Sequence, residues 1–122
     1  MNKTLVPLVI IILVSCQSPQ RNCVDFKTGT FEFSSEIDGE VATTTFVRNN
    51  DHEIESFRGS KDTSTLRWIN DCEYMLKRIN PTNRDEEKPI HIKILTTSDS
   101  SYTFEFNVVG ETNKLRGTAY KK

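Results

Sequence analysis

Along most of the chain, apolar and polar residues alternate one by one. Phe31 and Phe33 are set among Thr30, Glu32 and Ser34, and Leu66 and Trp68 alternate with Thr65 and Arg67. Cys72, Tyr74 and Leu76 alternate with Glu73 and Lys77, and Ile90, Ile92 and Ile94 with His91 and Lys93. The same holds for Tyr102, Phe104, Phe106 and Val108, and for Leu115, Gly117 and Ala119. A period of two is the signature of a strand with one buried and one wet face. Turn-forming residues punctuate these runs at Asp38-Gly39, Asn49-Asn50-Asp51, Gly59-Ser60-Lys61, Asn70-Asp71, Asn80-Pro81, Ser98 to Ser101 and Gly110 to Asn113. Together they predict eight strands, at about 28–35, 41–48, 52–58, 63–69, 72–79, 89–97, 101–109 and 114–121. Asn70-Asp71 reads as a two-residue hairpin turn. In the run 52–58, Ile54 and Phe57 fall on opposite faces, so a bulge is expected there. The longest loop, 80–88, is expected to hold a helical turn between Thr82 and Glu87.

Eight short sequential strands predict an all-β domain. The simplest closure is an eight-stranded antiparallel up-and-down barrel; the alternative is a two-sheet sandwich. A barrel of this size is either filled by its own side chains or holds one small ligand.

The first residues break the pattern. Lys3 precedes an apolar run from Leu5 to Val14, interrupted only by Pro7, and the small Ser15 precedes Cys16. A membrane-spanning helix needs about 20 apolar residues, and this run is half that. A charged start, a short apolar core and a small-residue end describe a secretory signal. Leu13-Val14-Ser15-Cys16 resembles the lipobox of bacterial lipoproteins. That resemblance implies cleavage before Cys16 and acylation of its thiol, which anchors the chain to a membrane. It divides the chain into a signal peptide (1–15), the lipidated Cys16 with its tether (16–26) and a single barrel domain (27–122). Gln17, in place of an aspartate after the cysteine, points to the outer membrane, with the domain facing the periplasm.

Charge and cysteines narrow the picture further. The formal net charge of −1 leaves no basic surplus, which argues against nucleic acid as a partner. With Cys16 assigned to lipid, Cys23 and Cys72 remain, an even pair in an oxidising compartment, and a Cys23–Cys72 disulfide is expected.

The segments "FKTGTFEF" (26–33) and "RWINDCEY" (67–74), with the strand count, resemble the small lipocalin-like lipoproteins of Bacteroidetes-type bacteria. Where lipocalins open on Gly-x-Trp, this chain has Gly29-Thr30-Phe31. The resemblance implies a fold and a location; it carries no catalytic motif.

No residue set reads as catalytic, and no cofactor is expected. P-loop, dinucleotide-binding, zinc-protease, nucleophile-elbow and C-x-x-C patterns are all missing from the sequence. His52 and His91 read as solvated, not as metal ligands. Glu53 and Glu55 read as a surface pair on one strand face, since an exposed face does not raise a carboxyl pKa. Of Arg48, Arg58 and Arg67, an interior one would suit an anionic head group. Alternation turns Arg67 outward, away from Leu66 and Trp68, and all three arginines are expected at the surface. Trp68, Tyr74, Tyr102, Phe104 and Phe106 are the candidate lining of a ligand cavity. The expected function is non-enzymatic binding of a small apolar or amphipathic ligand, or of an envelope component. The alternative is a solid-core inhibitor or interaction protein that works through loop 80–88.

Overall fold

The computed structural model describes residues 9–14 and 21–122. Eight antiparallel strands follow one another around a closed barrel: β1 (Gly29–Ile37), β2 (Glu40–Arg48), β3 (His52–Phe57), β4 (Ser60–Asn70), β5 (Glu73–Arg78), β6 (Ile90–Thr97), β7 (Ser101–Val108) and β8 (Leu115–Lys121). Closure is made by β1 against β8, with Phe31, Glu32 and Phe33 opposite Lys121, Tyr120 and Ala119. The ring therefore has no free sheet edge. The sandwich alternative does not apply.

The alternation seen in sequence becomes the inside and outside of this ring. Phe31, Phe46, Leu66, Tyr74, Leu76, Ile92, Ile94, Tyr102, Phe104 and Ala119 are buried. Register places inward residues side by side: Phe31 opposite Phe46, Trp68 opposite Tyr74, Ile92 opposite Phe106. Gly117 lies where two rings converge: a Cβ there would come within 2.9 Å of both Phe33 and Phe104.

The two ends of the barrel differ. At one end a 3₁₀ turn, Cys23–Phe26, plugs the opening with Cys23 and Phe26 fully buried. A Cys23–Cys72 disulfide ties the plug to the turn between β4 and β5. Cys23–Phe26 was expected in the tether; its buried side chains and its disulfide make it part of the folded body. The other end is surrounded by the hairpins after β1 and β3, the loop 79–89 and the loop 109–114.

Three local expectations need correction. The β4–β5 turn is Asp71-Cys72, not Asn70-Asp71: Asn70 still pairs with Glu73, and its Oδ1 accepts the Cys72 N–H at 2.9 Å. The β3–β4 turn is centred on Arg58-Gly59, one residue early, with φ of 48° and 80°, the positive pair a tight hairpin needs. Strand β3 keeps an unbroken register with both neighbours. The irregularities fall instead between Trp68 and Asn70 and between Ile94 and Thr96, both near the plugged end. β3 was misread because its inward side chains are acidic at two of three positions: Glu53 and Glu55 face in with Phe57, and Ile54 faces out, 38 % exposed. In loop 79–89, α1 (Arg84–Glu87) is one short turn, capped by Asn83, whose side chain accepts the Glu86 N–H.

Candidate binding site

The plugged half of the barrel is solid, and an arginine is at its centre. Arg48 ends β2 on the same face as Phe46, and its side chain is 0 % exposed. Its Nε and Nη2 donate to Glu53 Oε1 at 3.1 and 3.0 Å, and Nη1 donates to the Phe26 carbonyl at 2.7 Å. Nη2 also lies 2.7 Å from the Tyr74 hydroxyl and 2.9 Å from that of Tyr102. The guanidinium is over the Tyr74 ring (4.5 Å) and the Phe31 ring (4.8 Å). The plug, both central tyrosines and the carboxylate of β3 are thus joined through one cation.

An ion pair this deep is stable only when each pole is compensated. Burial works against the Arg48 charge, but the oxygens of Tyr74, Tyr102 and Glu53 more than offset it, so the guanidinium stays protonated. Burial raises the Glu53 carboxyl above its ordinary value even with Arg48 against it. It also pushes the Tyr74 and Tyr102 phenols up, so both remain neutral donors and acceptors.

Above this floor the barrel is open. A cavity of about 260 Å³ is bounded below by Tyr74, Tyr102 and Glu53 and reaches the unplugged end. Its two sides are chemically different. One, from β2, β3 and β5, carries the polar Thr44, Glu53, Glu55 and Arg78 beside Phe46 and Leu76. The other, from β1, β6 and β7, carries Phe33, Ile90, Ile92, Phe104 and Phe106. In a ring of eight strands β3 and β7 are diametrically opposed, so an acidic wall faces an aromatic one.

The mouth is held in shape by Arg78. It donates to Glu86 at 2.6 Å and lies 3.7 Å from Asp62. Glu86 also accepts the Thr82 hydroxyl and N–H, bonds that with Arg78 hold its carboxyl below the ordinary value. Glu55, exposed at this rim, titrates above its ordinary value through partial desolvation and the nearby Asp62, with Arg78 acting the other way.

Of the residues singled out from sequence, Tyr74 and Tyr102 form the cavity floor, and Phe104 and Phe106 its aromatic side. Trp68 does not line the cavity; its ring packs on Tyr74 at 4.6 Å, with Lys27 5.2 Å from its centre. Cys16 lies outside the described residues. Arg67 is exposed as alternation requires, and Arg58 is exposed in its turn. Arg48 and Glu53 reverse the expectation: both are buried, because register sets them opposite each other across the β2–β3 turn and their charges compensate. The signal was present in the sequence. Period two from Phe46 puts Arg48 inside, and the turn at Asn49 to Asp51 delivers Glu53 to it.

His91 lies 3.8 Å from Glu73, and both are half-buried. Among the described residues, no three His, Cys, Asp or Glu side chains gather to hold a metal ion. In comparison with family models, curated proteins and solved structures, nothing matches the chain.

Proposed function

We propose that this chain is a lipid-anchored envelope protein whose barrel holds a small amphipathic ligand without transforming it. The observation that carries the reading is a mainly apolar cavity with an acidic wall on β3, Glu53 and Glu55, facing the aromatic side chains of β7. Ligand pockets are concave, mainly apolar, and carry a few convergent polar groups that orient the ligand. A filled barrel would offer only rim loops, the arrangement the inhibitor reading requires. Passive binding is favoured over catalysis because Arg48 and Glu53 are engaged with each other and with the floor.

The anchor fits this geometry. Arg21 donates to the Ile94 carbonyl at 3.0 Å, and the Asn22 N–H to Thr97 Oγ1 at 2.8 Å, so the described chain enters at the plugged end. Five residue steps separate Arg21 from Cys16, a reach of at most roughly 17 Å. Acylation at Cys16 would hold the plugged end near the bilayer, with the mouth turned away, at the periplasmic face of the outer membrane.

Two measurements test the reading. Palmitate labelling of the full chain in an exporting bacterial host should give a membrane-bound labelled protein, and Cys16→Ser should lose both label and membrane association. Native mass spectrometry of a chain starting at Gln17, exported to a periplasm, should show a discrete adduct that denaturation releases. A bare mass from repeated preparations would favour an interaction protein that works through its rim loops instead.

A further inference from the structure

The cavity's polar side also indicates which head group it would receive. Among the described residues, an anionic group finds no free cation in the interior. Arg48 is beneath the floor with its Nε, Nη1 and Nη2 all donating within the protein. Arg78, at the mouth, is held by Glu86 and Asp62. The acceptors, in contrast, are not used up. Glu53 lines the cavity and is 6 % exposed, yet it gives only Oε1 to Arg48; Oε2 has no hydrogen-bond partner among the described residues. Glu55 is next along the same face of β3, toward the mouth, and Thr44 adds a buried hydroxyl on β2. Facing them are the rings of Phe33, Phe104 and Phe106, whose π-faces also attract a cation.

We infer that the cavity selects a small apolar molecule bearing one protonated amine, its ammonium directed to Glu53 Oε2 and Glu55 and its hydrocarbon or ring against Phe33, Phe104 and Phe106. An inorganic cation fits less well. Calcium takes six to eight oxygen ligands, and this site offers few, opposite a wall of rings. The ammonium needs only two or three acceptors, and its own positive charge makes each of those bonds charge-assisted. Its arrival also compensates the surplus of carboxylate along the cavity and its mouth, where Glu53, Glu55, Asp62, Asp85 and Glu86 outnumber Arg78 and Lys88.

This inference rests on the ligand-holding reading, and the two can fail separately. The test is calorimetric titration of the disulfide-bonded chain starting at Gln17 with three matched probes: 4-phenylbutylamine, 4-phenylbutanol and 4-phenylbutyrate. The amine should bind about tenfold or more tighter than the alcohol, and the carboxylate weakest. Glu55→Gln, at the exposed rim, should narrow the gap between amine and alcohol by weakening the amine more than the alcohol. Glu53→Gln should narrow it further if the variant folds. Equal binding of amine and alcohol, or tighter binding of the carboxylate, would overturn the amine inference and leave the amphipathic-ligand reading intact. No binding by any probe, together with a bare native mass, would overturn both.

Discussion

At the scale of single residues, the decisive pair is Arg48 and Glu53. Two opposite charges removed from water are compensated by each other, two tyrosine hydroxyls and the Phe26 carbonyl. Taking away one pole of such a pair leaves an unbalanced buried charge, which typically costs about 3–5 kcal/mol. Glu53→Gln keeps an acceptor for the guanidinium but removes the countercharge, so it should destabilise the barrel by about 3 kcal/mol, read from denaturant unfolding. Glu55 behaves differently. Its carboxyl holds a proton more tightly in the folded protein than in the unfolded chain, chiefly through desolvation. Its contribution to stability is therefore complete below the ordinary carboxylate value of 4.5 and is lost as pH rises through the raised value. Glu55→Gln should match the parent's Tm at pH 4 and exceed it as the pH approaches neutrality. A constant difference across that range would contradict the desolvated rim. Legibility at this scale was uneven. The aromatic residues of β5 and β7 could be picked out because alternation there is clean, whereas the acidic interior of β3 looks like a surface when read alone. Only pairing with Arg48 explains why Glu53 is inside.

At the scale of elements, strands were far easier to read than turns and the plug. A period of two persists over six or more residues, and a one-residue slip would turn every apolar side chain outward. Turn positions depend on short hydrogen bonds such as Asn70 Oδ1 to the Cys72 N–H, and moved by a residue. The 3₁₀ plug has no periodicity to reveal it; its place in the fold comes from Phe26, from its carbonyl on Arg48 and from the disulfide. The bridge spans a sequence separation of 49 residues. Constraining a loop of that length stabilises by about 4 kcal/mol in the chain-entropy account. The Cys23→Ser, Cys72→Ser double variant should lose about that much in chemical denaturation. It should also expose the amides of Cys23–Phe26 to faster hydrogen exchange than those of β6 and β7. Unchanged protection of the plug would mean that Phe26 and Arg48 hold it unaided.

At the scale of the whole molecule, the barrel divides across its axis into a sealed half and an open half. The sealed half carries the plug, the disulfide, the buried ion pair and the point where the chain enters from Arg21. The open half carries the cavity, with an acidic side on β3 and an aromatic side on β7. Under the proposed reading, stability and binding fall to opposite ends that meet at Glu53, which is paired with Arg48 on one side and lines the cavity on the other. The closed eight-stranded ring was legible from strand count and spacing. The two-sided cavity was not, because it depends on which strands face one another. Whether the cavity is occupied is read by chemical-shift mapping of the isotope-labelled chain from Gln17 with 4-phenylbutylamine. Perturbations should be confined to the cavity walls, at Thr44, Glu53, Glu55, Ile90, Ile92 and Phe104, with the plug and the outer faces silent. Perturbations on loop 79–89 or the outer strand faces with the cavity residues unmoved would contradict binding in the cavity.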